Sequence, residues 1–495
     1  MKRTYIMAIL LSISILTFSC KKFLDLKPIS TPITTDFFKT ASEANSAVAG
    51  CYSLLRTALN NKTITYYAYG DVPTDEYSAF GFVEDMNDVG NVNWALPVAA
   101  TSDYRTMINL RRWDNFYRVI DNANLCIQNI PGIDFSTDNS GSDPVVTKNN
   151  LIGEAYFMRA FTYFYISRVW GDVPLVTKSV NAGDAVSIAR TPQATVLAQC
   201  ISDLKKAIPL MQYGYVNASD RAVRANRGSA FALLAHIYAW QQDYQNCASA
   251  ADSVIQRGNY QLVNRNSVGY LSIYKGQSTE GIFEIAQSSS NEGSSNGLPF
   301  YTTKAPYNTL INGNAVFTMN TDHLNTLYAD TADLRLKNAF AFLGTTDPIC
   351  IKYSNFQYAQ QTTTKIAVAY YNIIVFRLSD IILLKAEALA ATGQSGQAIT
   401  LLNQIRTAAG TQPYAGTTDE LFESIIDERG RELFLEGHRF YDLVRLARQK
   451  SIAEFGDGKI SMSEFNRGKY YWPIDPILIT LNNSLKQTPY WASKL

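Results

Sequence analysis

Two stretches of this 495-residue chain, Arg227 to Tyr260 and Leu378 to Ala409, share one spacing of large and small apolar residues, which constrains the fold more than any other feature. In the first, Leu234, Ala235, Tyr238, Tyr244 and Ala251 fall where a tetratricopeptide hairpin needs residues that let two helices close on one another. Cys247 replaces the usual Ala there, and in the second stretch Ala386, Leu389, Gly393, Ala398 and Leu402 take the same places. A long stretch separates the two units, so they do not form a tandem array. Other helices are read from caps and periodicity. Thr40-Ala41-Ser42-Glu43 is a capping box that opens a helix running to about Ala58. Trp113 to Ile130 is helical and stops at Pro131-Gly132, and Thr195 to Leu210 is a further helix. Leu151 to Trp170 is apolar nearly all round, which predicts burial among other helices. The expected fold class is mostly α: a tetratricopeptide-like helical hairpin scaffold with long irregular loops and a small β-containing insertion.

The insertion lies between the hairpins. Tyr270 to Ile285 and Ile366 to Phe376 carry the β-branched and aromatic runs expected of strands, and the sequence between them is rich in Gly, Ser, Asn and Thr. Gly70 to Arg105 has no sustained period and is predicted to be a long loop region of the kind that usually carries function.

The N-terminus has Lys2 and Arg3, an apolar run from Ile6 to Phe18, then Ser19-Cys20. This is the layout of a secretory signal peptide, and the run is shorter than the roughly 18 apolar residues expected of a membrane-spanning helix. A small residue before a cysteine resembles a lipobox, so Cys20 is the candidate lipidated residue; Thr17 stands where Leu is usual, and the alternative is an ordinary signal peptide cleaved nearby. Lys21 to Asp36, with Pro28 and Pro32, reads as an extended tether. The expected organisation is a signal peptide over 1–19, an anchor and tether over 20–39, and one domain over 40–495. Within that domain 40–260 is an N-terminal helical part with a binding loop at 66–105, 261–375 is the insertion, and 376–495 is the C-terminal helical part.

Composition excludes several classes. Cleavage before Cys20 leaves 42 basic against 43 acidic residues, a balance with no footprint for nucleic acid or acidic lipid. Cys51, Cys126, Cys200, Cys247 and Cys350 are far apart and form neither a disulfide framework nor a metal clip, and three histidines argue against a His-based metal site. Hydrophobic residues at 46% allow a large core, and 30 Tyr against 24 Phe suits surfaces that are half apolar and half hydrogen-bonding.

Near the C-terminus stands Ile426-Asp427-Glu428-Arg429-Gly430-Arg431-Glu432-Leu433-Phe434-Leu435-Glu436-Gly437-His438-Arg439-Phe440-Tyr441-Asp442-Leu443-Val444-Arg445. It closely resembles the signature of the SusD/RagB family, with Gly430 where a basic residue is common. Trp472-Pro473-Ile474, the ending Asn482…Gln487-Thr488-Pro489-Tyr490, Arg159-Ala160-Phe161 with Gly171-Asp172-Val173-Pro174-Leu175, and Cys20-Lys21-Lys22-Phe23-Leu24-Asp25 resemble its other landmarks. The resemblance implies a lipid-anchored outer-membrane lipoprotein at the cell surface, which holds a glycan and delivers it to a TonB-dependent, SusC-like barrel without catalysis. It implies glycan sites in the loop regions without fixed residues. Read on one helix, Glu428, Glu432 and Arg439 lie near one stripe, and pairing with Arg429, Arg431 and Arg445 predicts a structural network rather than a catalytic one.

A sugar offers apolar C–H faces edged by hydroxyls, so its site wants flat rings beside Asp, Asn, Gln or Arg. The first loop supplies Tyr66, Tyr67, Tyr69, Tyr77, Phe80, Phe82 and Trp94, with Asp75 as a polar neighbour, and the insertion supplies Phe300, Tyr301 and Tyr307. Tyr67, Tyr69, Asp75, Tyr77, Phe80, Trp94, Tyr301 and Tyr307 are the candidate ligand residues. Acidic clusters at Asp71, Asp75, Glu76 and at Glu84, Asp85, Asp88 leave two alternatives open: a glycan-degrading enzyme, which needs two carboxylates about 5 to 10 Å apart, or Ca²⁺ binding, for which no EF-hand spacing exists. Gly293-Ser294-Ser295-Asn296-Gly297 matches the text of a nucleophile elbow but is followed by Leu298-Pro299 rather than a helix, so it reads as chance. No catalytic residue, metal or cofactor is expected. A peptide-binding tetratricopeptide-like scaffold is the remaining alternative.

Overall fold

The computed structural model describes residues 37–61, 64–81, 83, 85–97, 106–136, 143–179, 186–215, 217–290, 297–361, 364–456 and 458–495. The signal segment, Cys20, the tether up to 36, Phe82, Glu84 and Gly293 to Asn296 lie outside the described residues.

Helix α1 (Ala41–Leu59) opens as its capping box dictates: the Thr40 hydroxyl accepts from the Glu43 amide at 3.2 Å, and the Glu43 carboxylate accepts from the Thr40 amide at 2.8 Å. The segment that follows is not an open loop. It forms α2 (Thr65–Gly70), β1 (Tyr77–Ala79), α3 (Met86–Gly90) and α4 (Thr106–Leu110), and its apolar residues enter the core. Helix α5 (Asp114–Asn129) tightens into a short 3-10 turn, Ile130–Gly132, at Pro131. Helix α6 (Pro144–Trp170) starts earlier than Leu151, because Asp143 accepts from the Val145 amide and Pro144 takes the first helical position. Its second half is buried on all sides, as an all-round apolar helix requires. Helices α7 (Gln193–Leu210), α8 (Arg227–Trp240) and α9 (Tyr244–Arg257) pack in succession, the last two forming the first hairpin, with Cys247 and Ala251 fully buried.

The insertion begins with a departure from the strand reading. Tyr270 to Lys275 belong to a helix, α10 (Ser267–Lys275), started by Asn266, whose side chain accepts from the Gly269 amide at 2.8 Å. Tyr270 and Tyr274 sit at i, i+4 and meet edge-on at 5.8 Å, a helical contact that outweighs their β propensity. Strand β2 (Gly281–Ala286), α11 (Leu298–Thr302), β3 (Thr318–Met319), α12 (Thr321–Leu327), α13 (Leu334–Ala339), β4 (Phe340–Ala341), β5 (Ile349–Cys350), β6 (Phe356–Gln361), β7 (Thr364–Ala369) and β8 (Asn372–Arg377) follow. Among the described residues the strands form two-stranded antiparallel pairs only: β1 with β3, β2 with β8, β4 with β5 and β6 with β7. The β2–β8 pair closes the base of the insertion, from Gly281 opposite Arg377 to Ala286 opposite Asn372.

Strand β8 passes without a loop into α14 (Leu378–Ala391), which with α15 (Ser395–Ala408) makes the second hairpin. Helix α9 packs on α14, so the two hairpins touch although they are distant in sequence. The chain ends with α16 (Leu421–Glu432), α17 (Arg439–Lys450), α18 (Met462–Asn466) and α19 (Pro476–Leu481). One apolar cluster runs from α1 to Trp491, and a second fills the space between α14, α15 and α16. Cys51, Cys126, Cys200, Cys247 and Cys350 are buried free thiols. Among the described residues no helix is long and apolar enough to cross a membrane.

Candidate functional site

The first-loop aromatics present no platform. Trp94 is fully buried, stacked on Trp472 at 4.2 Å and 12°, with its indole N–H donating to the Val89 carbonyl at 3.0 Å. Tyr69 is met edge-on by Tyr165, Trp170 and Trp472, and its hydroxyl donates to the Leu110 carbonyl at 2.7 Å. Tyr67 lies against Tyr66 and Tyr353, and Tyr77 and Phe80 close on Phe317. The expectation that Tyr67, Tyr69, Tyr77, Phe80 and Trp94 face a ligand is corrected: the segment from α2 to just past α3 folds these rings inward, where packing against other rings holds them.

Asp75 is only partly buried, and its Oδ2 lies 2.8 Å from His323 Nδ1. Burial works to raise its carboxyl, but the hydrogen bond and charge of His323 outweigh it and hold Asp75 below the usual carboxylate range. Glu76 beside it is buried, and burial together with Asp71 pushes its carboxyl well up. Asp71 in turn accepts from the Gly437 amide at 2.8 Å, where Gly70 and Gly437 approach so closely that a Cβ on either would collide with the protein. A hydrolytic pair must reach its substrate with both carboxylates, and Glu76 is covered. Among the described residues no group of three or more His, Cys, Asp and Glu side chains is placed to hold a metal ion.

The insertion supplies a different surface. Tyr301 is half-buried with one face stacked on Phe317 at 5.4 Å and 11°, and half-buried Tyr307 meets Phe342 edge-on at 6.2 Å. Beside Tyr307 stand rings that sequence reading missed. Phe356 and Tyr358 alternate on β6, so both rings leave one face of the strand, directly opposite the small residues Ala369 and Ala367 of β7. Tyr358 is 36% exposed, its hydroxyl accepts from the Thr309 amide at 2.9 Å, and Lys365 Nζ lies 4.5 Å from the ring centroid. Phe300 meets Phe356 edge-on at 5.3 Å, while Leu310 is 43% exposed. The result is a ledge of fixed rings edged by Thr309 and Lys365, offering apolar faces beside hydrogen-bonding groups. The signal available was the Phe-x-Tyr alternation at 356–358, which pairs with the strand that begins near Ile366.

The charged signature is not one helix. Helix α16 ends at Glu432, the chain turns through Leu435 (φ 58°) and Gly437 (φ 80°), and α17 starts at Arg439, so Glu428 and Arg439 do not share a helical stripe. The paired network is present. Glu432 lies 2.8 Å from Arg265, 3.0 Å from Arg335 and 2.7 Å from Arg377, while Glu436 lies 2.7 Å from both Arg377 and Lys352. Arg429 bridges Asp380 at 2.9 Å and Asp442 at 3.0 Å, and Arg445 joins Glu387 to Asp442. All of these groups are buried; burial alone would raise the Glu432 carboxyl, yet its three arginines hold it well below the usual range. Gly430 fits the same design, because a Cβ there would meet Arg439 Nη1 at 2.9 Å. The network joins the segments that lead into α10 and β2 to β8, α13 and α16, and its role is to dock elements.

Residues 22–239 match the family profile described as starch-binding and associating with the outer membrane, and residues 283–491 match that of the SusD family. The chain is 29% identical to the SusD-like protein P38 of Formosa agariphila, across 94% of each chain. It is 23% identical to a SusD-like protein of Bacteroides ovatus, covering 85% of this chain and 78% of that one. A SusD superfamily protein from Bacteroides thetaiotaomicron superposes with a TM-score of 0.77 at 26% identity, covering 92% of this chain and 99% of that structure. A SusD homolog from the same organism superposes at 0.76.

Proposed function

The chain belongs to the SusD/RagB family, and on that premise we propose that it is a glycan-binding lipoprotein of the outer membrane that captures an oligosaccharide and passes it to a SusC-like TonB-dependent barrel. Cys20 is the proposed lipid attachment point, and the tether behind it is the proposed source of lid movement. Binding proceeds without bond cleavage. The sugar rests its C–H face on the Phe356–Tyr358 ledge, with Tyr307, Thr309 and Lys365 reaching its hydroxyls.

The observation that carries the reading is the exposed, hydroxyl-anchored ring of Tyr358. A ring fixed before the ligand arrives loses little conformational freedom on binding. The test is a glycan array with the mature chain and with Tyr358→Ala. Retention of one glycan class that falls by about tenfold or more in the variant supports the reading. Retention of no glycan, or release of reducing ends traceable to the protein, overturns it.

A further inference from the structure

Away from the ledge, the helical body holds a cleft of about 410 Å³ between the first turns of α1 and α6 and the segment joining α7 to α8. That volume lies in the range of about 300–1,000 Å³ typical of small-molecule sites. Its floor is rigid. Glu154 Oε2 accepts from Arg224 Nε and from the Tyr52 hydroxyl, each at 2.6 Å, and Glu154 Oε1 accepts from Arg224 Nη2 at 3.0 Å. The Tyr52 hydroxyl also accepts from the Ala225 amide at 2.9 Å, which ties the floor to the start of α8.

The walls carry amides. Asn45 on α1 and the Gln212 side chain have no hydrogen-bond partner among the described residues, and Asn150 uses only its Oδ1, which accepts from the Gln212 amide at 3.2 Å. A side-chain amide presents a donor and an acceptor together, the complement of two neighbouring hydroxyls. Glu154 and Asp220 outnumber Arg224 by one charge, so nothing here selects for an anion. Tyr215 lines this cleft and also an adjoining one of about 360 Å³ that contains Tyr260, so a half-buried ring stands between the two.

From this juxtaposition we propose that the paired clefts around Tyr215 form a second carbohydrate site, for a neutral mono- or disaccharide, separate from the Tyr358 ledge. The amides take the hydroxyls and Tyr215 takes a C–H face. The test is saturation-transfer NMR on the mature chain with glucose, galactose, maltose, cellobiose and lactose as probes. Asn45 is exposed, so Asn45→Trp fills the cleft without disturbing the core; Gln212→Trp does so from the opposite wall and replaces it if the first variant unfolds early. The expected result is a probe whose signal drops about tenfold in the filled variant at unchanged Tm and persists in Tyr358→Ala. The proposal is overturned if no probe binds, or if every bound probe ignores the filled cleft. Because the arms are separate, failure at the ledge alone leaves the cleft standing, and failure at the cleft alone leaves the ledge.

Discussion

Trp94 and Tyr358 are both aromatic residues in segments that look irregular, and substituting each should separate packing from binding. Trp94→Ala removes a ring stacked on Trp472, and thermal or denaturant unfolding should register a loss of about 3–5 kcal/mol. Tyr358→Ala removes a part-exposed ring and one hydrogen bond and should cost no more than about 1–2 kcal/mol while reducing glycan retention. Glu284 yields a pH prediction. Burial pushes its carboxyl up to about 7, against the lowering influence of Asn372 and the Gln277 amide. The folded chain therefore holds a proton that the unfolded chain, with an ordinary carboxyl near 4.5, releases; stability gains as pH falls from about 8 to 5. His438, which burial pushes down to about 4, stays neutral and works in the opposite sense below its ordinary value of 6.5. The diagnostic is thus a difference: Glu284→Gln should flatten the contribution, worth about 3 kcal/mol over that window, and equal slopes for both proteins would refute it.

At the level of elements, the acidic members of the signature hold α16 against the strands of the insertion. Glu432→Ala would leave Arg265, Arg335 and Arg377 buried without their shared carboxylate, and equilibrium unfolding should show a loss of about 3–5 kcal/mol. A loss under 1 kcal/mol would mean that water replaces the carboxylate. Helices were legible in the sequence where a cap marked the start, as at Thr40–Glu43 for α1, and where the spacing of large and small apolar residues carried the reading, as across both hairpins. The misreadings share one cause. Tyr270 and Tyr274 look like strand residues by type, and the capping Asn266 decides otherwise; Tyr67, Tyr69 and Trp94 look like platforms by type, and tertiary packing turns them inward. The site was harder to read than the fold because exposure is a property of the assembled surface. Nothing local at Phe356 or Tyr358 announces that Ala367 and Ala369 will lie opposite and leave the rings standing clear.

For the molecule as a whole, the insertion and the helical body share Arg265, Arg335 and Arg377, so neither can unfold while leaving the other's buried charges paired. Calorimetry should show one transition with matching calorimetric and van't Hoff enthalpies, and two resolved transitions would show that the insertion melts alone. The antiparallel base formed by β2 and β8 has a consequence for how such chains can vary. The exit and re-entry points of residues 287–371 stand one strand spacing apart, about 5 Å, on a ladder anchored by the scaffold. That geometry makes the segment a cassette with a fixed socket: its tip could be exchanged for another of different length and ring arrangement, and specificity rewritten, while the residues at the socket keep the helices in register.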